Sequence, residues 1–217
     1  TFEPGAWIHL VNPSQEEALK VAERFNIDIQ DLRAPLDVEE TSRIDVEDDY
    51  TLILVDIPTQ EERNNKSYYV TIPLGIIVTD EVVVTTCLEN ISLMDDFLNH
   101  RVRNFYTFMK TRFVFQILYR NAQLYLTALR SIDRQNDKLE AQLENATKNE
   151  HLIDMMELEK SIVYLKASLK MNERIVKKLT GNASSLKKYI EDEDLLEDTL
   201  VETQQAIEMA GIYENVL

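Results

Sequence analysis

The reading of this chain turns on its last stretch, residues 184–217, SSLKKYIEDEDLLEDTLVETQQAIEMAGIYENVL. It contains one Gly and no Pro. Leu196, Leu200, Thr203, Ile207, Ala210, Glu214 and Leu217 recur at alternating spacings of four and three, the signature of a heptad seam. A second seam runs beside it through Thr199, Thr203, Ala206, Ala210, Tyr213 and Leu217. Two adjacent seams predict a long helix with neighbours on more than one side. The final Asn215-Val216-Leu217 lack the Gly or Pro that usually closes a helix. The sequence therefore reads as a helix that is cut, not finished, and an ordinary C-terminal helix packed on its own domain is the competing reading.

Upstream, residues 99–183 read as a hairpin of two long amphipathic helices. The first runs from Phe97 to about Thr147, with a possible break near Asn104. The second runs from His151 to Thr180 and ends at Gly181-Asn182. Thr147-Lys148-Asn149-Glu150 makes the turn between them. Residues 1–98 alternate differently. Trp7–Val11 reads as a strand, and Ser14 with Glu17 as a capping box opening a helix through Phe25. A short helix covers about Asp28–Ala34 and is stopped by Pro35. Arg43–Glu47, Tyr50–Ile57, Tyr68–Thr79 and Val82–Cys87 are strand-like, with Pro58 closing the second of these and Gln60–Lys66 forming a polar turn. Pro73 and Gly75 suggest an edge or a bulge in the third. The fold class is α+β. A layered α+β part with a mixed, mostly antiparallel sheet is followed by the helical hairpin and, over residues 184–217, by the last long helix.

Charge is unevenly spread. Of the net −16, residues 1–100 hold −15, residues 101–180 hold +6 and residues 181–217 hold −7. An acidic body argues against nucleic acid and favours cations as partners. Cys87 is the single cysteine, which excludes a disulfide framework and fits a reducing compartment. No secretory leader opens the chain, and no run of about 18 apolar residues marks a membrane span. His9, His100 and His151 are too far apart in sequence for a local metal cluster, so each is read as structural. No Gly-rich phosphate loop, no Gly-x-Ser-x-Gly elbow and no nucleophile–base pair is visible. The chain reads as a non-enzyme with no organic cofactor. Two acidic clusters remain: Asp37-Val38-Glu39-Glu40 with Asp45–Asp49, and Glu191–Asp194 with Glu197 and Asp198. On a helix Asp194 and Asp198 are one turn apart and repel unless a cation screens them. Their functional reading is as oxygen ligands for a hard divalent cation.

Several segments in fixed order carry a family likeness: Trp7–Ser14, Phe25-Asn26-Ile27, Leu36–Ile44, Asp49-Tyr50, Ile72–Ile76, and the terminal Ile212–Leu217. Together they resemble the cytoplasmic domain of the CorA family of magnesium transporters, over essentially the whole chain. The family's Gly-Met-Asn signature is not among these residues. The resemblance implies an αβα sandwich followed by the hairpin and, over residues 184–217, a stalk helix, in a homopentamer in the inner membrane, with this part on the cytoplasmic side and joined to the membrane by C-terminal transmembrane helices. It also implies weak regulatory Mg²⁺ bound between neighbouring domains and favouring the closed state. The family's stalk acid matches Asp198, with Asp194 one turn before it. The partner acid's position holds Ala34, preceded by Arg33, so this chain departs from the pattern there. Asp31 and Asp37 are the nearby acids that could substitute. Rival readings are transport of Zn²⁺, Co²⁺ or Ni²⁺ within the same family, and an acidic coiled-coil adaptor that binds a partner helix.

Overall fold

The computed structural model describes every residue except 1–2, 64–65, 144–147, 182–185, 187–188 and 217. At its centre are two long β-strands, β3 (Tyr50–Arg63) and β4 (Lys66–Thr79), paired antiparallel from Tyr50↔Thr79 to Arg63↔Lys66. Leu52 and Leu54 of β3 point to one face, and Ile53, Val55 and Ile57 to the other. Both faces are apolar, so both must be covered. β2 (Arg43–Val46) adds antiparallel to β3, and β5 (Val83–Cys87) antiparallel to β4. β1 (Trp7–Val11) joins β5 in parallel. The five-stranded order β1-β5-β4-β3-β2 is the expected mixed, mostly antiparallel sheet.

One face is covered by α1 (Gln15–Phe25) and α2 (Ile29–Arg33), the other by α3 (Ser92–Leu98) and the long helices α4 (Lys110–Leu143) and α5 (Lys148–Thr180). The capping box at α1 forms in both directions: Glu17 N donates to Ser14 Oγ at 3.2 Å, and Ser14 N to Glu17 Oε2 at 2.9 Å. Beyond the sheet, α4 and α5 continue as a hairpin, and α6 (Ile190–Val216) completes a three-helix bundle around Tyr125, Leu129, Ile162, Leu165, Ala206 and Ala210.

Four expectations are corrected. Pro58 does not close β3; it pairs with Thr71 and the strand runs on to Arg63. The backbone N–H and C=O of Asp56 bond to helix side chains instead of to β4, so positions of that parity face away from the β3–β4 ladder. Pro58 shares the parity, and its missing N–H removes no ladder bond. Pro73 stands opposite Asp56 in the same kind of pair. Second, Gly75 lies in the central strand with unbroken register on both sides, at neither an edge nor a bulge. A Cβ there would meet Pro35 Cγ at 2.3 Å, so the glycine admits the 3₁₀ turn Ala34–Leu36 onto the sheet. Third, no helix runs from Phe97. α3 stops at Leu98, His100 and Asn104 adopt φ 54°, and α4 begins only at Lys110. Phe97, Phe105 and Phe113 look helical in spacing, yet they converge from helix, loop and helix on Trp7, with ring centroids 5.0–6.3 Å from it. Fourth, the last helix begins at Ile190, not Ser184, and α5 begins at Lys148, inside the expected turn. Of the expected punctuation, Thr147, Asn182 and Ser184 fall outside the described residues, as does Leu217 of the two seams.

Candidate functional site: the outward face of the last helix

Both seams of α6 turn inward. Leu196, Thr199, Thr203, Ala206 and Ala210 are buried in the groove between α4 and α5. Small residues allow that close approach, and each Thr hydroxyl is satisfied within the helix. Thr199 Oγ1 donates to Leu195 O and Thr203 Oγ1 to Thr199 O, both at 2.7 Å. Tyr213 and Glu214, half-buried, reach α4 and α5; Glu214 pairs with Lys166. The helix thus has two neighbours, and both belong to its own chain.

What remains free is a third row, Asp194, Asp198, Val201, Gln205, Glu208, Ile212 and Asn215, every member exposed and again spaced four and three apart. Val201 and Ile212 are 58% and 60% exposed, so the row combines carboxylates with two unpartnered apolar positions. The first turn carries Glu191, Asp192 and Glu193, where the helix dipole favours negative charge. Asp192 departs from the solvated pattern. It is 1% exposed, and Arg112 Nη1 lies 3.7 Å from Oδ1. Burial pushes its carboxyl above the usual range, partly offset by Arg112.

The four expected ligands do not meet within one chain. Asp194 and Asp198 sit one turn apart on the outward row. Asp31 is half-buried in α2 on the opposite face of the sheet, where it accepts the Tyr50 hydroxyl at 2.6 Å. Asp37 is exposed in the loop after the 3₁₀ turn, its Oδ1 accepting Glu39 N at 3.0 Å. That loop ends at Ser42, whose hydroxyl donates to Asn172 Oδ1 of α5 at 3.3 Å. Among the described residues no three Asp, Glu, His or Cys side chains converge on a point that could hold a metal. The donor set on α6 is carboxylate oxygen, two residues on one helix face. It fits a hydrated hard cation held by few direct ligands, and it does not make a closed cage.

Two of the other groups flagged by the sequence, His9 and Cys87, are held within the fold. Trp7 Nε1 donates to Thr85 Oγ1 at 2.8 Å, and His9 Nδ1 lies 2.8 Å from the same atom. Burial lowers the His9 pKa. Burial pushes the Cys87 thiol up to about 12, which leaves it inert. A polar junction went unseen in the sequence. Asp56 O accepts Asn121 Nδ2 at 2.9 Å, Tyr125 Oη at 3.0 Å and Asn172 Nδ2 at 2.8 Å, and Asp56 N donates to Asn172 Oδ1 at 3.0 Å. These bonds key the hairpin to the open edge of β3. Only Asn at buried helical positions hinted at them.

A family model described as "CorA-like Mg2+ transporter protein" matches residues 4–217. The chain is similar to the cobalt/magnesium transport protein CorA of Methanocaldococcus jannaschii, with 26% identity over an alignment of 225 positions that covers 97% of this chain and 66% of that protein. The solved soluble domain of CorA from the same organism superposes with a TM-score of 0.85 at 24% identity, covering 97% of this chain and 83% of that one. The complete CorA magnesium transporter structure from that organism gives a TM-score of 0.84 at 23% identity, over 97% and 66%. No helix among the described residues is long and apolar enough to cross a membrane. The match over nearly every residue, the αβα layers, the long helical hairpin and the last helix together place this chain in the CorA-like family of Mg²⁺ transporters.

Proposed function

We propose that this chain is the cytoplasmic metal-sensing and gating part of a CorA-like divalent cation transporter, in which Mg²⁺ bound between neighbouring copies favours the closed state. The chain spans 66% of the length of its curated relative, and on this reading the pore lies in membrane helices outside it. The carrying observation is the incompleteness of the acidic row: Asp194 and Asp198 are exposed and one turn apart, and among the described residues their own chain supplies no third ligand. A second copy is the natural source of one. In a cyclic homopentamer with α6 along the axis, these acids approach one another and must be neutralised. Mg²⁺ does so while keeping most of its waters, so its affinity is weak, roughly millimolar. The oxygen-only donor set favours Mg²⁺ as the sensed ion. The relative's name also includes cobalt, so Co²⁺ is the second candidate. The adaptor reading loses its basis, since both seams are used internally.

Binding to the associated, folded state raises its melting temperature by mass action. Asp198→Asn keeps the shape and removes the charge. It is expected to abolish most of the Mg²⁺-induced rise in Tm, with Asp194→Asn giving a smaller loss and the distant, exposed Glu23→Gln none. An undiminished Mg²⁺ response in Asp198→Asn places the sensor elsewhere.

A further inference from the structure

Helix α5 carries Lys170, Arg174 and Lys178 at intervals of four, all exposed. Neighbouring cations on the helix are paired: Lys166 with Glu214, and Lys177 with Glu173 at 2.7 Å. Among the described residues the three in the row make no ion pair; Arg174 Nη1 contacts only the Met171 sulfur, at 3.7 Å. Like charges one turn apart repel, and the acids of their own chain in the same groove, Glu173 and Glu208, make no ion pair with this row. On the other flank of α6, Arg120 lies 3.7 Å from Asp96, while Arg130, Arg134 and Lys138 of α4 also stand exposed at intervals of four with no ion pair among the described residues.

The antiparallel packing of α5 and α6 fixes relative heights. Glu173 receives Gln204 Nε2 at 3.1 Å, and Lys166 pairs with Glu214. At 1.5 Å per residue, Lys178 is level with roughly residues 199–202 of α6, and Lys170 with roughly residues 207–210. Rotation about an axis parallel to α6 leaves every height unchanged. In the cyclic assembly of the previous subsection, on which this inference rests, a neighbour's Asp198 and Glu202 therefore pass at the height of Lys178, and its Glu208 at that of Lys170. The Ser42–Asn172 bond brings the Asp37–Ser42 loop beside the same row. We propose that Lys170, Arg174 and Lys178 form the docking strip for the acidic outward face of α6 from a second copy of this chain. Each copy then carries both halves of a head-to-tail interface, as closed rings require. The strip adds direct charge pairing to the Mg²⁺-dependent contact between copies.

Lys170 and Glu208 test this without touching Asp198. Copies bearing Lys170→Cys are mixed with copies bearing Glu208→Cys in millimolar Mg²⁺ and oxidised; the native Cys87 is buried and does not compete. The expected result is a disulfide-linked dimer at least ten-fold above that from Lys170→Cys mixed with Glu23→Cys. By sedimentation, Lys170→Glu and Glu208→Lys each weaken self-association at least ten-fold, and the double swap restores it. Lys20→Glu changes the net charge equally and shifts association less than two-fold. If wild-type copies associate but neither the cross-link nor the rescue appears, the docking strip is wrong and the gating reading stands. If wild-type copies do not associate in Mg²⁺ at all, both fall. Binding to anionic phosphatidylglycerol vesicles that is lost in Lys170→Glu, without cross-linking, assigns the strip to a membrane and overturns the proposal.

Discussion

Asp56 shows how one residue can serve the fold with its backbone and oppose it with its side chain. Its peptide C=O accepts three hydrogen bonds from α4 and α5 side chains, and its N–H donates a fourth to Asn172 Oδ1. Its carboxyl is pushed above the usual carboxylate range by burial, partly offset by Ser168. The folded state therefore holds the proton more tightly than the unfolded chain. Stability from this group is present below the unfolded pKa and is lost as pH rises through the raised folded value. At neutral pH the buried charge is a net cost. Asp56→Asn keeps the shape and the backbone bonds, so it is expected to raise Tm by a few degrees at pH 7 and by nothing near pH 4. A Tm–pH profile of both proteins checks this, and an equal shift at both pH values refutes it. Asn172→Ala removes two of these four bonds: the Asp56 N–H loses its acceptor, while the C=O keeps Asn121 and Tyr125. It is expected to cost about 2 kcal/mol in denaturant unfolding, the usual penalty for stranding one buried backbone group.

At the scale of the element, α6 presents inward and outward rows with the same four–three spacing but different composition. The inward rows are Leu, Thr and Ala, and they fit a groove. The outward row is mostly polar with two exposed aliphatics. Enlarging an inward position should lift the helix from the groove, whereas enlarging an outward one should change little. Ala210→Leu, at a fully buried site, is expected to destabilise the chain by about 1–3 kcal/mol. Val201→Leu is expected to stay within about 0.5 kcal/mol. Chemical denaturation of the two variants ranks them, and a reversed ranking would show that the rows are wrongly placed.

For the whole molecule, net charge opposes assembly. Each copy brings −16, most of it from residues 1–100. Long-range repulsion between copies works against the local pairing of strip and row at low ionic strength. In chelator the isolated chain is expected to be monomeric or only weakly associated, and millimolar Mg²⁺ to increase association. Analytical ultracentrifugation with and without Mg²⁺ measures this; a tight oligomer in chelator contradicts it.

Local chemistry was legible in the sequence. Ser14 and Glu17 announce their capping box because its partners lie three residues apart. The apolar run Tyr50–Ile57 announces a strand, and the heptads announce α6. The acidic pair Asp194 and Asp198 was visible for the same reason. Relations across the chain were not legible. Whether a heptad seam meets a foreign helix or its own hairpin depends on which groove lies beside it, and only the packed α4–α5 pair decides that. Pro58 stops a strand in isolation, but here its parity points the missing N–H away from β4. Gly75 reads as a weakness until Pro35 is seen against it. Asp31, close to Asp37 in sequence, ends on the far side of the sheet from α6, because a sandwich separates residues by layer and not by sequence distance. Sequence by itself determined the elements and the charge they carry, since both depend on neighbours within a few residues. Tertiary structure decided which faces were consumed and which were left open, because burial is settled only when every element competes for the same core.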